Sequence, residues 1–373
     1  MMTVRRWNDS SLLVLVFTAL LLGVGLIGCS SGGPEDQAKG TQAVPENPRE
    51  GTVRSIREAD EDLQAETTAK DYRIGATFVD SQTIYNDTQV ASAADEGNHQ
   101  LRLTLRDQRT KRYLPGADVE VTLRGPETEQ TRTLDLLETW GSYHFYGSNV
   151  DVPPGAELLD VTVQPPRVGR HADLKERYRE SVEVEFPLEQ NGSNVVVQGA
   201  DPEPVADDVT LGSSIAMGLE EALSVKETGS YRVGFIAEHS EPYWVPAENP
   251  NDTNPGTLNL TMADFPQSAN RHLEIVLYDR ESNRILPHAD IQLNVADGDE
   301  IKTRTDLPFL LAAFYHYGNS VYLPEADYTI EATLGAPSVH TLEKSQFPDE
   351  QQATFSWSPE NEEGESGEHE AEY

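Results

Sequence analysis

Three histidines and a glutamate in the C-terminal half have the residue types and spacing to hold a metal ion. His239-Ser240-Glu241 follows an apolar, strand-like run. Side chains at i and i+2 of an extended segment share a face, so this imidazole and carboxylate would project together. His316 lies in Tyr315-His316-Tyr317-Gly318-Asn319, and His340 follows Gly335-Ala336-Pro337. Three imidazoles with one carboxylate suit a first-row ion such as Cu, Zn or Fe(II), with Mn also open. Taken singly, each histidine equally fits a surface loop, so convergence in space decides between the two readings. The chain has no Gly-rich phosphate loop, nucleophile elbow or His-Glu-x-x-His pattern. The expectation is therefore a binding protein and not an enzyme.

The elements that must position these residues occur twice. Tyr72-Arg73-Ile74-Gly75 returns as Tyr231-Arg232-Val233-Gly234, an offset of 231 − 72 = 159. Leu114-Pro115-Gly116-Ala117-Asp118 returns as Leu286-Pro287-His288-Ala289-Asp290, and Tyr146-Gly147 as Tyr317-Gly318, offsets of 286 − 114 = 172 and 317 − 146 = 171. Three anchors in the same order indicate an internal duplication. The growth in offset puts about 13 extra residues into the second copy, in the Asn- and Pro-rich stretch 246–270.

Both copies read as β. Leu101-Arg102-Leu103-Thr104-Leu105 and Leu273-Glu274-Ile275-Val276-Leu277 alternate with period two, as do Val119–Leu123 and Ile291–Val295. Turn signals separate the runs, as at Pro153-Pro154-Gly155. The predicted fold is all-β: two tandem immunoglobulin-like antiparallel sandwiches. The expected organisation is a signal segment 1–29, a tether 30–66, a first domain 67–189, a connector 190–229, a second domain 230–359 and an acidic tail 360–373. Ile215, Leu219, Ala222 and Leu223 recur at helical spacing within the connector.

Composition restricts partners and place. The 373 residues carry a net charge of −36, which repels nucleic acid and anionic lipid headgroups. This acidity is also the solvation habit of proteins working in high salt, so a halophilic source is expected. Arg5-Arg6 precedes an apolar run from Leu12 to Ile27, short for a membrane span, ending at Leu26-Ile27-Gly28-Cys29. This ending resembles a lipobox. Cys29, the single cysteine, would then be lipidated and anchor the chain to the outer face of the cytoplasmic membrane. No thiolate remains for a disulfide or a metal site.

His316-Tyr317-Gly318 followed by Val321, and a late histidine after a Pro-containing turn, resemble a family of periplasmic high-affinity iron-transport accessory proteins, which are immunoglobulin-like metal binders. That family reads His-x-Glu on an early strand, then Met, then His-Tyr-Gly, then a late His. The resemblance implies His239, Glu241, His316 and His340 as metal ligands, with Fe or Cu as the cargo and a membrane iron permease as its recipient. Counting back from Tyr-Gly, the Met position falls on Phe309 and Glu138. With no thioether, Cu(I) is disfavoured. In the first copy Asp80, Gln82 and Phe145 stand at the ligand places, leaving a degenerate site. Family members resemble homodimers with metal near the interface. A tandem copy would then pack as an intramolecular pseudo-dimer, with His171 or His144 of the first copy approaching the second copy's site. The alternative expectation is a structural or adhesive surface protein with no metal role.

Overall fold

The computed structural model describes residues 63–359, apart from 127–131, 142, 172–173, 203–221, 248–255, 282–283, 313–314, 345–346 and 348–349. The segment with Cys29, residues 30–62 of the tether, residues 203–221 of the connector with Ile215 and Leu219, and the acidic tail lie outside the described residues, while Ala222 and Leu223 are not helical and Ala65 and Glu66 of the tether are strand. Among the described residues the fold is all-β of sandwich type. Its regular elements are strands, apart from one 3-10 turn at Ala94–Glu96.

In the second copy, Ser224–Thr228, Tyr231–His239, Arg271–Asp279, His316–Val321 and Phe309–Leu311 follow one another across one sheet. Glu300–Leu307, Ile291–Asp297, Tyr328–Leu334 and Gln351–Trp357 form the other. Alternating apolar side chains meet between the sheets, where Phe235 stacks on Phe355 at 5.4 Å. The first copy repeats this order and differs at one crossing between the sheets. Its strand Arg132–Trp140 runs unbroken from one sheet to the other, pairing with Val119–Arg124 and then with His144–Val150. In the second copy this path is interrupted at Pro308, which has no N–H for a ladder.

The repeated motifs are tied together by hydrogen bonds. The Tyr317 hydroxyl donates to the Leu286 carbonyl at 2.7 Å and accepts from the Ala289 N–H at 2.9 Å. The Tyr146 hydroxyl donates to Leu114 at 2.8 Å and accepts from Ala117 at 3.2 Å. The tyrosine of Tyr-Gly thus fastens the Leu-Pro-x-Ala turn to the sheet in both copies. The third residue of that turn has positive φ in both, 76° at Gly116 and 58° at His288.

The copies interlock by reciprocal strand exchange. Gly169–His171 of the first copy pairs antiparallel with Tyr243–Pro246 and parallel with Phe309–Leu311. His340–Thr341 of the second copy pairs antiparallel with Ile84–Asn86 and parallel with Arg132–Trp140. Arginines repeat the symmetry: Arg112 donates to the Ala312 carbonyl and Arg284 to the Gly141 carbonyl, at 3.3 and 2.6 Å.

The edges differ from the sequence expectation. Ser224–Thr228 lies in the stretch read as connector, yet it pairs with Tyr231–His239 as a first strand. Ala65–Ala69 does the same for the first copy. Asn191-Gly192-Ser193 turns a hairpin between Val182–Asn191 and Asn194–Val197, with Gly192 at φ 67°. Ser224–Thr228 and Ala65–Ala69 are polar edge strands without a clean apolar alternation, which hides them from periodicity.

Candidate metal centre

The exchanged strand carries the site. In Gly169-Arg170-His171 successive side chains point to opposite sides. Arg170 turns back into its own copy and is fully buried. It donates to the carbonyls of Arg177, Pro166 and Tyr178, and burial holds its guanidinium down to about 10. Gly169 lets the strand approach closely, since a Cβ there would lie 2.3 Å from Leu310. His171 is thereby delivered to the second copy, where its ring stacks on Tyr243.

There it meets His272 and His316. One ring nitrogen from each of His171, His272 and His316 lies within 4.8 Å of the other two. Ring centroids are 5.1 Å apart for His171–His316, 5.3 Å for His171–His272 and 5.9 Å for His272–His316. His272 and His316 are almost wholly buried. A tetrahedral ion with metal–nitrogen bonds of about 2.1 Å holds its ligands roughly 3.4 Å apart, so a small ring movement closes the site.

Carboxylates border the group. Glu274 Oε1 lies 3.7 Å from His316 Nε2 and 3.8 Å from His272 Nε2. Glu241 Oε2 lies 3.6 Å from His171 Nδ1, on a side chain that is 62% exposed. His272 is oriented from behind, with Nδ1 3.0 Å from Ser320 Oγ, and Ser320 Oγ also donates to the Glu241 carbonyl. This leaves His272 Nε2 buried without a hydrogen-bond partner among the described residues. A buried polar atom with no partner is costly, and a bound water or ion would satisfy it. Burial, aided by neighbouring His171, depresses the His272 pKa to about 3, so the ring is a neutral lone-pair donor at ordinary pH.

Gly318 is part of this geometry. A Cβ at this position would sit 2.5 Å from His272 Nε2 and 3.0 Å from His316 Cδ2. Gly318→Ala is expected to push the imidazoles apart and weaken metal binding by at least about tenfold, as supporting-shell changes do. A competition titration with a chromophoric chelator measures it.

The residues that converge differ from the ligand set expected. His316 and His171 take part, and Glu241 borders the group. His239 does not: it pairs with Arg271, while Glu238 is the residue opposite His272. A one-residue step in a strand reverses the face, and His239 is exposed on the other side. The His-x-Glu pair at the centre is His272-Leu273-Glu274, on the strand read only as alternating core. His340 Nδ1 lies 3.1 Å from the Glu138 carbonyl and is outside the group. The strand registers place Leu342, not His340, at the counterpart of His171. Leu310, rather than Phe309, lies opposite His316.

His144 serves a different cluster across the copies. Glu138 Oε1 is 2.9 Å from His144 Nε2 and 3.1 Å from His288 Nε2 of the second copy. Its other oxygen accepts from the Gly116 N–H at 2.8 Å. Burial alone would raise the Glu138 pKa, but His288 and His144 outweigh it and hold the carboxyl far below its ordinary range. Burial opposes protonation of His288, and Glu138 more than compensates, raising its pKa.

No family profile matches the sequence, and no curated protein matches it. Among solved structures, two copper-bound variants of Campylobacter jejuni P19 resemble part of the chain. One is 14% identical and covers 34% of this chain and 93% of its own, with a TM-score of 0.29. The other is 13% identical and covers 38% and 98%, also at 0.29.

Proposed function

We propose that the chain binds one divalent first-row ion, Cu(II) or Fe(II), through His171, His272 and His316, and acts as a capture protein in iron uptake. The observation that carries this reading is the convergence of three imidazoles from both copies around one point beside Glu274. Imidazole nitrogens with oxygen donors and no thioether suit these divalent ions over Cu(I). The uptake role is supported by the motif around His316-Tyr317-Gly318. Glu241, at the exposed side of the group, is the carboxylate an arriving ion would meet first. The ion is cargo, held without a catalytic step and passed to a membrane permease from an anchor at Cys29.

Titrating the full-length chain with Cu(II), Fe(II), Zn(II) and Mn(II), beside a His272→Ala/His316→Ala variant, tests this. One tight equivalent, lost in the variant, is expected. Many weak equivalents unchanged by the substitutions would leave only an acidic surface and return the chain to the structural class.

A further inference from the structure

The first copy has its own version of the metal pocket, built from different residues. The strand registers define it. His272 and Glu274 lie opposite Ser320 and Gly318, while Gln100 and Arg102 lie opposite Asn149 and Gly147. Phe145 stands where His316 does, and Leu342, one residue beyond Thr341, stands where His171 does. Gln82 corresponds to Glu241 by the offset 241 − 82 = 159. Both carboxylates and all three imidazoles have been replaced together.

The replacements form a cage around a charge. Arg102 is only 5% exposed. Its Nε donates to Gln100 Oε1 at 2.7 Å, and its Nη2 donates to Gln82 Oε1 at 3.0 Å. Its guanidinium carbon lies 4.6 Å from the centroid of Phe145 and 5.8 Å from that of Tyr143. Leu342 packs against this aromatic pair. Gln100 is itself held by donating to the Gln82 carbonyl at 3.1 Å. Amide oxygens and ring faces are neutral acceptors that solvate a cation at short range. Gly147 makes room for Phe145, since a Cβ there would lie 2.7 Å from the ring, just as Gly318 makes room for the histidines.

We infer that Arg102 is the first copy's built-in cation: its guanidinium fills the place that a metal ion takes in the second copy. The inference deepens the metal reading and rests on it for the comparison between copies. The guanidinium is itself a cation, so the first-copy pocket repels a second one and the chain binds a single ion. The duplication thereby keeps two matched interlocking faces and makes only one of them depend on metal.

Two experiments on the full-length chain test this. In the first, Gln100→His, Arg102→Glu, Phe145→His and Leu342→His are introduced into His272→Ala/His316→Ala. The background variant is expected to bind no tight Cu(II), and the rebuilt first-copy site to regain one equivalent. A folded, rebuilt chain with no tight equivalent would overturn the inference. So would a tight equivalent in the background variant that disappears on Gln82→Ala. The second experiment is independent of metal and of the large redesign. Arg102→Ala leaves a cation-shaped cavity, and millimolar methylguanidinium is expected to raise its Tm by several degrees. Neutral methylurea, and either additive on the wild type, should not. Equal rescue by both additives, or by neither, contradicts a cation pocket. If the wild type binds no tight metal while methylguanidinium still rescues, the metal reading fails and the Arg102 pocket stands.

Discussion

His171→Ala is expected to lower metal affinity by at least about 100-fold, although His171 belongs to the other copy of the repeat. Losing one of three imidazoles removes a direct bond, and even supporting residues behind metal ligands cost 10- to 100-fold when changed. The fold should survive, because the exchanged strand is held by Arg170 and its three carbonyl acceptors, not by the His171 ring. Thermal unfolding gives a second reading. Metal at 100 times its dissociation constant stabilises the wild type by about 2.7 kcal/mol, and at the same concentration this increment should fall to about 0.4 kcal/mol or less in the variant. His239→Ala and His340→Ala should titrate like the wild type. If those two weakened binding and His171→Ala did not, the ion would sit within the second copy alone.

Glu138→Gln is expected to give the largest loss of stability. It removes the charge from a carboxylate held between His144 and His288, across the interface of the copies. Breaking a buried ion pair costs about 3–5 kcal/mol, and the lower figure applies because Glu138 and His288 keep some solvent exposure. That corresponds to a fall in Tm of roughly 5–10 °C. The effect depends on pH in a defined direction. The Glu138 pKa is depressed in the fold, so its contribution is present above the ordinary 4.5 and is lost as pH falls through the depressed value. The His288 pKa is raised, so its contribution is complete below the ordinary 6.5 and is lost as pH rises through the raised value. The difference between wild type and variant should therefore be greatest between pH 4.5 and 6.5 and shrink on either side. Tm measured for both chains across this range checks it. A difference that grew steadily above pH 8 would contradict the assigned charges.

Much of the fold is legible in the sequence because it is local. Leu101-Arg102-Leu103 and Leu273-Glu274-Ile275 alternate as half-buried strands do, and the recurring Leu-Pro-x-Ala and Tyr-Gly motifs mark parts joined by one tyrosine hydroxyl. The candidate site is less legible because its key event is long-range. His272 and Glu274 occupy the polar phase of an alternating strand, which local pattern assigns to solvent. Strand exchange covers that face, burying His272, Glu274, Gln100 and Arg102 alike. His239-Ser240-Glu241 has the same short pattern as His272-Leu273-Glu274. Only the register of the ladder, with Glu238 opposite His272, separates the pair that faces the group from the residue that does not. A signal was available in the duplication: His272 stands 172 residues after Gln100, and both lie just ahead of the alternating run shared by the copies.

The most direct test of the account is a crystal structure of the Cu(II)-loaded chain, with anomalous scattering measured at the copper edge. One peak is predicted per chain, about 2.0–2.1 Å from a ring nitrogen of each of His171, His272 and His316. No peak should appear beside Arg102. A peak bound by residues of a single copy, or density scattered over surface carboxylates with none between the three histidines, would contradict it.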